Sequence, residues 1–312
     1  MRNYLNTIFH TLALLVKHGA PSHIIAFGDA LGDNLLLTVL TRELYDRGFK
    51  KIWIKSNHKE LFEHNPHIVH VLPFNALLSS TVLRFYGVKK VFPKYTIYDE
   101  SEDRDEVPDK HIVLKMADCV RLFGPILVKP LLILTQEERC AAEWAKGKII
   151  ITTTTTAAFV PMSNKEWPVE KYQQVVNHFK HNYQFIQLGS LTDNPLSGVT
   201  DMRGKTDIRQ TAAILSHALL LISHVGFIMH LARSVDCRTV IIYGGREKPD
   251  QSGYACFENI YSAIECSPCW LHNTCHYDKK CMQIISAQMV QDAVLKQIKL
   301  LGTPLKIDTR IN

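Results

Sequence analysis

The sequence predicts an α/β protein of two Rossmann-like domains whose parallel sheets face a central cleft. Three observations lead there. Short apolar runs alternate with amphipathic stretches along most of the chain, and strands alternating with helices imply parallel sheets covered on both faces. The alternation runs twice, in series of similar length that meet near residues 124 to 147, with no repeat of sequence between them. A length of 312 residues also suffices for two ordinary domains, each with its own core. The domains are drawn at 1–145 and 146–312.

In the first series, Leu5, Ile8, Phe9, Leu12, Leu15 and Val16 stand at helical spacing until Gly19 and Pro21, which makes 1–18 an amphipathic helix. Residues 24–27 read as a buried strand, 28–32 as a turn and 34–45 as a helix. A strand over 51–55, a short helix over 59–64 and a strand over 68–72 follow, then helix 76–86, strand 88–92 and helix 110–123. Gly124, Pro125 and Pro130 punctuate the chain before a charged helix over 136–145. The second series runs strand 149–151, helix 169–181, strand 185–188, helix 208–217, strand 219–222, helix 227–235, strand 239–243 and a last helix over 287–300.

Composition is that of a soluble globular protein. The net charge of +6 is not gathered into a polybasic tract; it suits anionic small substrates or an anionic membrane surface, and is only weak evidence for nucleic acid. No apolar run approaches the roughly eighteen residues that span a bilayer. His10 and Thr11 interrupt the apolar centre that an export signal needs, so the expected location is cytoplasmic. The N-terminal helix reads as docked on the protein, with a membrane-surface anchor as its alternative.

Ligands of parallel α/β sheets bind beyond the carboxyl ends of the strands, so the turns there carry the chemistry. The first, Gly28-Asp29-Ala30-Leu31-Gly32-Asp33, permits close backbone approach and puts Asp33 at a helix start, as an N-cap or a catalytic base. Its spacing is not G-x-G-x-x-G, which disfavours a nicotinamide cofactor. Lys165, before Pro168 and a helix, is placed to meet phosphate together with backbone N–H groups. Arg203-Gly204-Lys205-Thr206 sets two cations around a glycine, Gly226 and His230 lie in the next strand-to-helix turn, and Gly244-Gly245-Arg246 repeats the theme. Three cationic turns at the strand ends of one domain indicate a phosphate-bearing ligand.

Four of the eight cysteines, Cys266, Cys269, Cys275 and Cys281, follow the pattern C-x2-C-x5-C-x5-C. Four soft ligands suffice for a closed, structural zinc or iron site, and four reduced packed thiols are the alternative. A nucleic-acid-binding zinc knuckle is disfavoured, because basic and aromatic residues are not concentrated around the cluster beyond Trp270, His272, His276, Tyr277, Lys279 and Lys280.

In combination these motifs resemble glycosyltransferase family 9, the bacterial heptosyltransferases of lipopolysaccharide assembly. The resemblance rests on Gly28-x3-Gly32-Asp33-x-Leu35, Lys165-x-Trp167-Pro168, Gly226-x2-Met229-His230-Leu231-Ala232, Cys266-x2-Cys269 and Cys281-Met282, and covers roughly residues 22 to 300. It implies a GT-B architecture, an inverting transfer from an ADP-sugar and no cofactor at the reaction centre. The acceptor would meet the N-terminal domain and the donor the C-terminal one. Asp33 would be the catalytic base, Lys165 the donor-phosphate lysine and the Gly226–His230 turn the donor loop. Two places depart from the family. His224 or Val225 stands where an acidic residue usually opens the donor turn, and the threonines 152–156 replace a loop of small residues. The expected function is transfer of a heptose-like sugar to an envelope glycan or lipopolysaccharide, in the cytoplasm or peripherally at the inner membrane. Alternatives are a lipid-linked or protein acceptor, another donor sugar, or a non-catalytic nucleotide-sugar-binding protein.

Overall fold

The computed structural model describes residues 2–154, 158–303, 305 and 310–312. Thr155 and Thr156 of the threonine run lie outside the described residues. The chain divides into two compact units: Met1–Tyr95 with Val113–Ile133 and Arg310–Asn312, and Thr96–Ile112 with Leu134–Thr309.

The first unit holds α1 (Arg2–His18), β1 (His23–Ala26), α2 (Leu31–Asp46), β2 (Ile52–Lys55), β3 (His70–Leu72), α3 (Ser80–Phe85), β4 (Lys89–Val91) and most of α4 (Ile112–Cys119). Its strands form a parallel sheet in the order β3-β2-β1-β4. β1 pairs on both sides and is buried along its length, which is why it reads as a continuous apolar run rather than an alternation. Leu15 of α1 packs with Ile24, Trp53, Leu72 and Leu83, so this helix docks on the sheet. No described helix is long and apolar enough to cross a membrane.

One local expectation is corrected here. α2 begins at Leu31, with Ala30 in the cap position, so Asp33 is not the N-cap but lies in the first helical turn. Gly32 does not end the turn; the chain has already entered helical geometry there.

The second unit carries a six-stranded parallel sheet in the order β12-β11-β10-β7-β8-β9. Its elements are α5 (Gln136–Ala141), β7 (Ile149–Ile151), α6 (Val169–Phe179), β8 (Phe185–Gln187), β9 (Thr200–Asp201), α7 (Ile208–His217), β10 (Leu220–His224), α8 (Phe227–Ser234) and β11 (Thr239–Gly244). They are followed by α9 (Pro249–Ser252), β12 (Glu258–Tyr261), α10 (Lys280–Gln283) and α11 (Ala287–Lys299). Trp167 and Tyr172 join Ile149 and Ile151 of β7 in its core. α7 starts as its sequence demands: Asp207 caps it and Gln210 reaches back, satisfying two backbone N–H groups reciprocally.

The antiparallel hairpin β5 (Tyr98–Asp99) and β6 (Arg104–Asp105) has no signature in the apolar pattern. It belongs to the second unit, where Asp105 N–H donates to the Trp270 carbonyl at 3.0 Å and His272 N–H to the Asp103 carbonyl at 2.9 Å. It therefore packs against the cysteine loop, far away in sequence.

Candidate functional site

In the second unit the strand-end turns close around a buried chain of alternating charges. Lys165, at the end of a short turn over Ser163–Lys165, places Nζ 2.9 Å from Glu247 Oε1. The same oxygen accepts from Arg246 at 3.1 Å, and the Ser252 hydroxyl also donates to the Glu247 carboxylate. Arg246 reaches on to Asp105 Oδ2 at 2.7 Å and to the Leu271 carbonyl at 3.0 Å, with its guanidinium over the Trp270 ring. His272 Nε2 meets the same Asp105 oxygen at 2.7 Å. Asp105, Arg246, Glu247 and His272 are all buried, and charges taken out of water need such partners.

The electrostatics follow from that packing. Burial alone would raise the Glu247 carboxyl, but Lys165 and Arg246 beside it bring its pKa down to about 2. Burial lowers the pKa of Lys165 against the opposing pull of Glu247. Burial, with the Lys165 charge, takes His224 down to about 4. His230 falls to about 3, chiefly by burial, and its Nδ1 lies 2.7 Å from the Tyr254 hydroxyl. Gly226 caps α8 in extended geometry.

The structure thus gathers Lys165, Arg246, Gly226 and His230 around the ends of β10 and β11. Arg203, Lys205 and Thr206 form a group of their own by Asp201. Arg203 pairs with both Asp201 oxygens, at 2.9 and 2.8 Å, and reaches the Asp193 carbonyl; Lys205 Nζ donates to the Asp201 carbonyl at 2.7 Å; Thr206 bonds Thr211 at 2.9 Å. The glycine pair after β11 serves packing. At Gly244, whose φ is +64°, a Cβ would meet Met282 Sδ at 2.6 Å, and one at Gly245 would collide with Ser267 Oγ.

Residues 266–281 lie across these turns. Asn164 N–H donates to the His272 carbonyl at 3.1 Å, its side-chain amide donates to Thr274 O at 2.8 Å, and Lys279 Nζ donates to Ser163 O at 2.8 Å. The cysteine loop therefore holds the turn that presents Lys165. Cys266, Cys269, Cys275 and Cys281 are free thiols that line one cavity of about 40 Å³. Burial, reinforced by the neighbouring thiols, raises the pKa of Cys269 and Cys281. Among the described residues no group of three or more His, Cys, Asp or Glu is set at metal-holding distances. The donor chemistry of four thiols on one cavity nevertheless fits a thiolate-preferring ion.

In the first unit Asp33 is half-buried in the first turn of α2, where the helix dipole favours a carboxylate. Buried Asn34 pins the preceding loop by donating to Gly28 O at 2.7 Å and Ala30 O at 2.9 Å, while its Oδ1 accepts from Ser56 Oγ at 2.7 Å. His58 Nε2 lies 2.8 Å from Asp29 O.

Sequence reasoning passed over Glu247, Asp105 and Asn164. Glu247 had a signal, a carboxylate directly after a cationic strand-end turn. Asp105 had none, because its partners are remote in sequence.

Two parallel-sheet units of this kind define a GT-B fold, and solved structures share it. A glycosyl transferase family 9 protein from Veillonella parvula matches with a TM-score of 0.63 at 16% identity, over 89% of this chain and 97% of that one. The iron-containing dodecameric glycosyltransferase TibC from enterotoxigenic E. coli matches with a TM-score of 0.67 at 16% identity, over 90% and 77%. The E. coli ADP-heptose lps heptosyltransferase II matches with a TM-score of 0.62 at 13% identity, over 89% and 98%. The family described as glycosyltransferase family 9 (heptosyltransferase) matches residues 125–280, half of the chain. The chain belongs to glycosyltransferase family 9, and is a glycosyltransferase by that membership. No curated protein sequence matches it.

Proposed function

We propose that this protein is an inverting glycosyltransferase that moves a heptose-like sugar from an ADP-linked donor to an envelope glycan or lipopolysaccharide acceptor on the cytoplasmic side. The observation that carries the reading is the buried Lys165–Glu247–Arg246 chain at the carboxyl ends of β10 and β11, in a family 9 chain. One fold neighbour is named for ADP-heptose, which makes that the donor to try first.

In this reading the acceptor oxygen attacks the anomeric carbon on the face opposite the diphosphate. Its proton passes to the Asp33 carboxylate as the new C–O bond forms, and the bond from the anomeric carbon to the phosphate oxygen breaks. Lys165 and the N–H groups at the start of α8 face the charge gathering on the leaving diphosphate. Glu247 and Arg246 act through Lys165, keeping its ammonium aimed. His230 braces the donor turn through Tyr254. Arg203 shapes the loop that carries Lys205 and Thr206, and Lys205 adds an exposed cation at its edge.

The four cysteines hold a structural iron or zinc in this reading. Support comes from the shared cavity and the soft donor set, and one fold neighbour is named as iron-containing. No chemical step passes through the metal. Elemental analysis of protein purified without chelator or affinity metal tests it: less than about a tenth of an equivalent would remove the metal from the account.

The donor reading is tested by calorimetry with ADP and with Lys165→Ala. Micromolar-range binding of ADP that weakens at least tenfold in the variant is expected. Equal affinity in both proteins would sink it.

A further inference from the structure

The net charge of the chain has an address in the fold. Residues 1–28 and 64–95 contain no aspartate or glutamate, yet they hold Arg2, Lys17, Arg84, Lys89, Lys90 and Lys94. They therefore carry the whole +6 of the protein, and the remainder is balanced. Both segments lie in the first unit, where they supply α1, β1, β3, α3 and the edge strand β4. Among the described residues no carboxylate pairs with Lys17, Arg84, Lys89, Lys90 or Lys94, so their charge is left for an outside partner.

α1 and α3 lie on the same face of the sheet, because Leu15 of one and Leu83 of the other pack with Ile24 and Trp53. The Tyr4 hydroxyl bonds Thr81 at 3.3 Å, and the N–H of Ser79, which caps α3, donates to Thr11 Oγ1 at 2.8 Å. Docking uses only one side of α1. Its outward side carries Leu5, Phe9 and Val16 at helical spacing, 48, 67 and 88% exposed. On α3, Phe85 stands two residues from buried Leu83, nearly opposite it around the helix, and is 85% exposed. Single exposed apolar side chains are ordinary. A row of them on the outward sides of two joined helices, in a carboxylate-free part of the chain, marks an interaction surface.

We propose that the outward side of α1 and α3, with Lys89 and Lys90 of the adjoining edge strand, binds an anionic lipid surface. The apolar side chains enter the boundary between headgroups and acyl chains, and the cations around them meet the lipid phosphates. A second copy docked through the same side would bring like charges together, and a nucleic acid would gain nothing from exposed Leu5, Phe9 and Val16. The docked and lipid-facing roles of α1 use opposite sides of one helix and do not compete. The inference goes beyond the donor-site reading and uses none of its residues.

Flotation of the full chain with lipid vesicles tests it, since bound protein rises and aggregates stay below. Vesicles of phosphatidylethanolamine with phosphatidylglycerol are expected to carry at least about tenfold more protein than vesicles of phosphatidylcholine, and raised salt should shrink the difference. Phe9→Gln combined with Val16→Gln should lower flotation at least about tenfold, with thermal unfolding and ADP affinity unchanged because both side chains are exposed. Lys89→Gln combined with Lys90→Gln should lower it by a similar factor, at low salt only. Absence of flotation on either vesicle overturns the proposal. So does equal flotation on both, or flotation that survives the loss of Phe9 and Val16. A concentration-dependent dimer that the same double variant abolishes, without flotation, also overturns it and assigns the surface to a second copy. If the chain floats as expected but does not bind ADP, the donor reading falls and this one stands.

Discussion

The turn before Asp33 and the turns around Lys165 solve the same problem, holding a charged group at a strand end, by opposite means. In the first unit the loop 28–30 is fastened by hydrogen bonds through Asn34, Ser56, Asn57 and His58, all within about thirty residues of sequence, with the His58 ring also near the Asp29 carboxylate. In the second unit Lys165 is held by a chain of buried ions drawn from residues 105, 165, 246, 247 and 272. Bonds between near neighbours in sequence hold the backbone that presents the half-buried Asp33 carboxylate. A buried ammonium needs a counter-ion, and the chain finds it wherever the fold brings one. The local turn is therefore robust to remote changes, whereas the ionic one depends on every element that contributes to it.

The largest effect should come from the locally fastened turn. Asp33→Asn is expected to cut transfer by roughly 10²–10⁴-fold, the usual cost of losing a general base, with ADP affinity unchanged. Stability should change little, since Ala30 and not Asp33 occupies the cap. A variant with normal turnover would remove Asp33 from the mechanism.

On the other side, Asp105→Ala leaves His272 without its carboxylate and Arg246 with Glu247 as its one remaining acid, and should cost about 3–5 kcal/mol of stability in urea unfolding, the range for removing one partner of a buried pair. A loss within experimental error would show that the ionic chain is dispensable and that the contrast between the turns is one of appearance only.

Glu247→Gln sharpens the comparison through pH. Lys165 has its pKa lowered by burial and held up by Glu247, so removal of Glu247 lowers it further. ADP affinity, which needs the charged lysine, should then decline with rising pH at a lower pH than in the parent. The same pair also predicts acid lability. With a folded pKa near 2, below its unfolded value, Glu247 contributes stability above the unfolded pKa that is lost as pH falls toward 2. His224 and His230, depressed to about 4 and 3, act in the same direction from about pH 6.5 downward. A melting temperature that rises on acidification from pH 7 to 4 would contradict the sign for the histidines, and one that rises from pH 4.5 to 2 the sign for Glu247.

Lys205→Ala should show the smallest effect, a few-fold loss of ADP affinity and under about 1 kcal/mol of stability, because the side chain is exposed and screened.

Much of the fold was legible because its signals are local. Three consecutive isoleucines at 149–151 mark a strand buried on both faces, and they are the centre of the second sheet. Asp207 and Gln210 announce the start of α7. β12 was missed because, at the sheet edge, only Ile260 of Glu258–Tyr261 is buried and no alternation shows. The hairpin 98–105 was missed because its polar residues are stabilised by partners more than 140 residues away, such as Arg246 for Asp105. Of the site, the positions of Lys165 and Asp33 were readable as charges at strand-end turns, but the identity of their partners was not.

By itself the sequence determined the alternation of strands and helices, the place of each cationic or acidic turn at a strand end, and the clustering of four thiols in one loop. Those follow from periodicity and spacing along the chain. Only the tertiary structure decided that Glu247 neutralises Lys165, that Arg246 is spent on Asp105 and not exposed, and that the cysteine loop clamps the lysine turn. Each of these depends on which groups share a volume from which water is excluded, a property of the packed chain that no local pattern encodes.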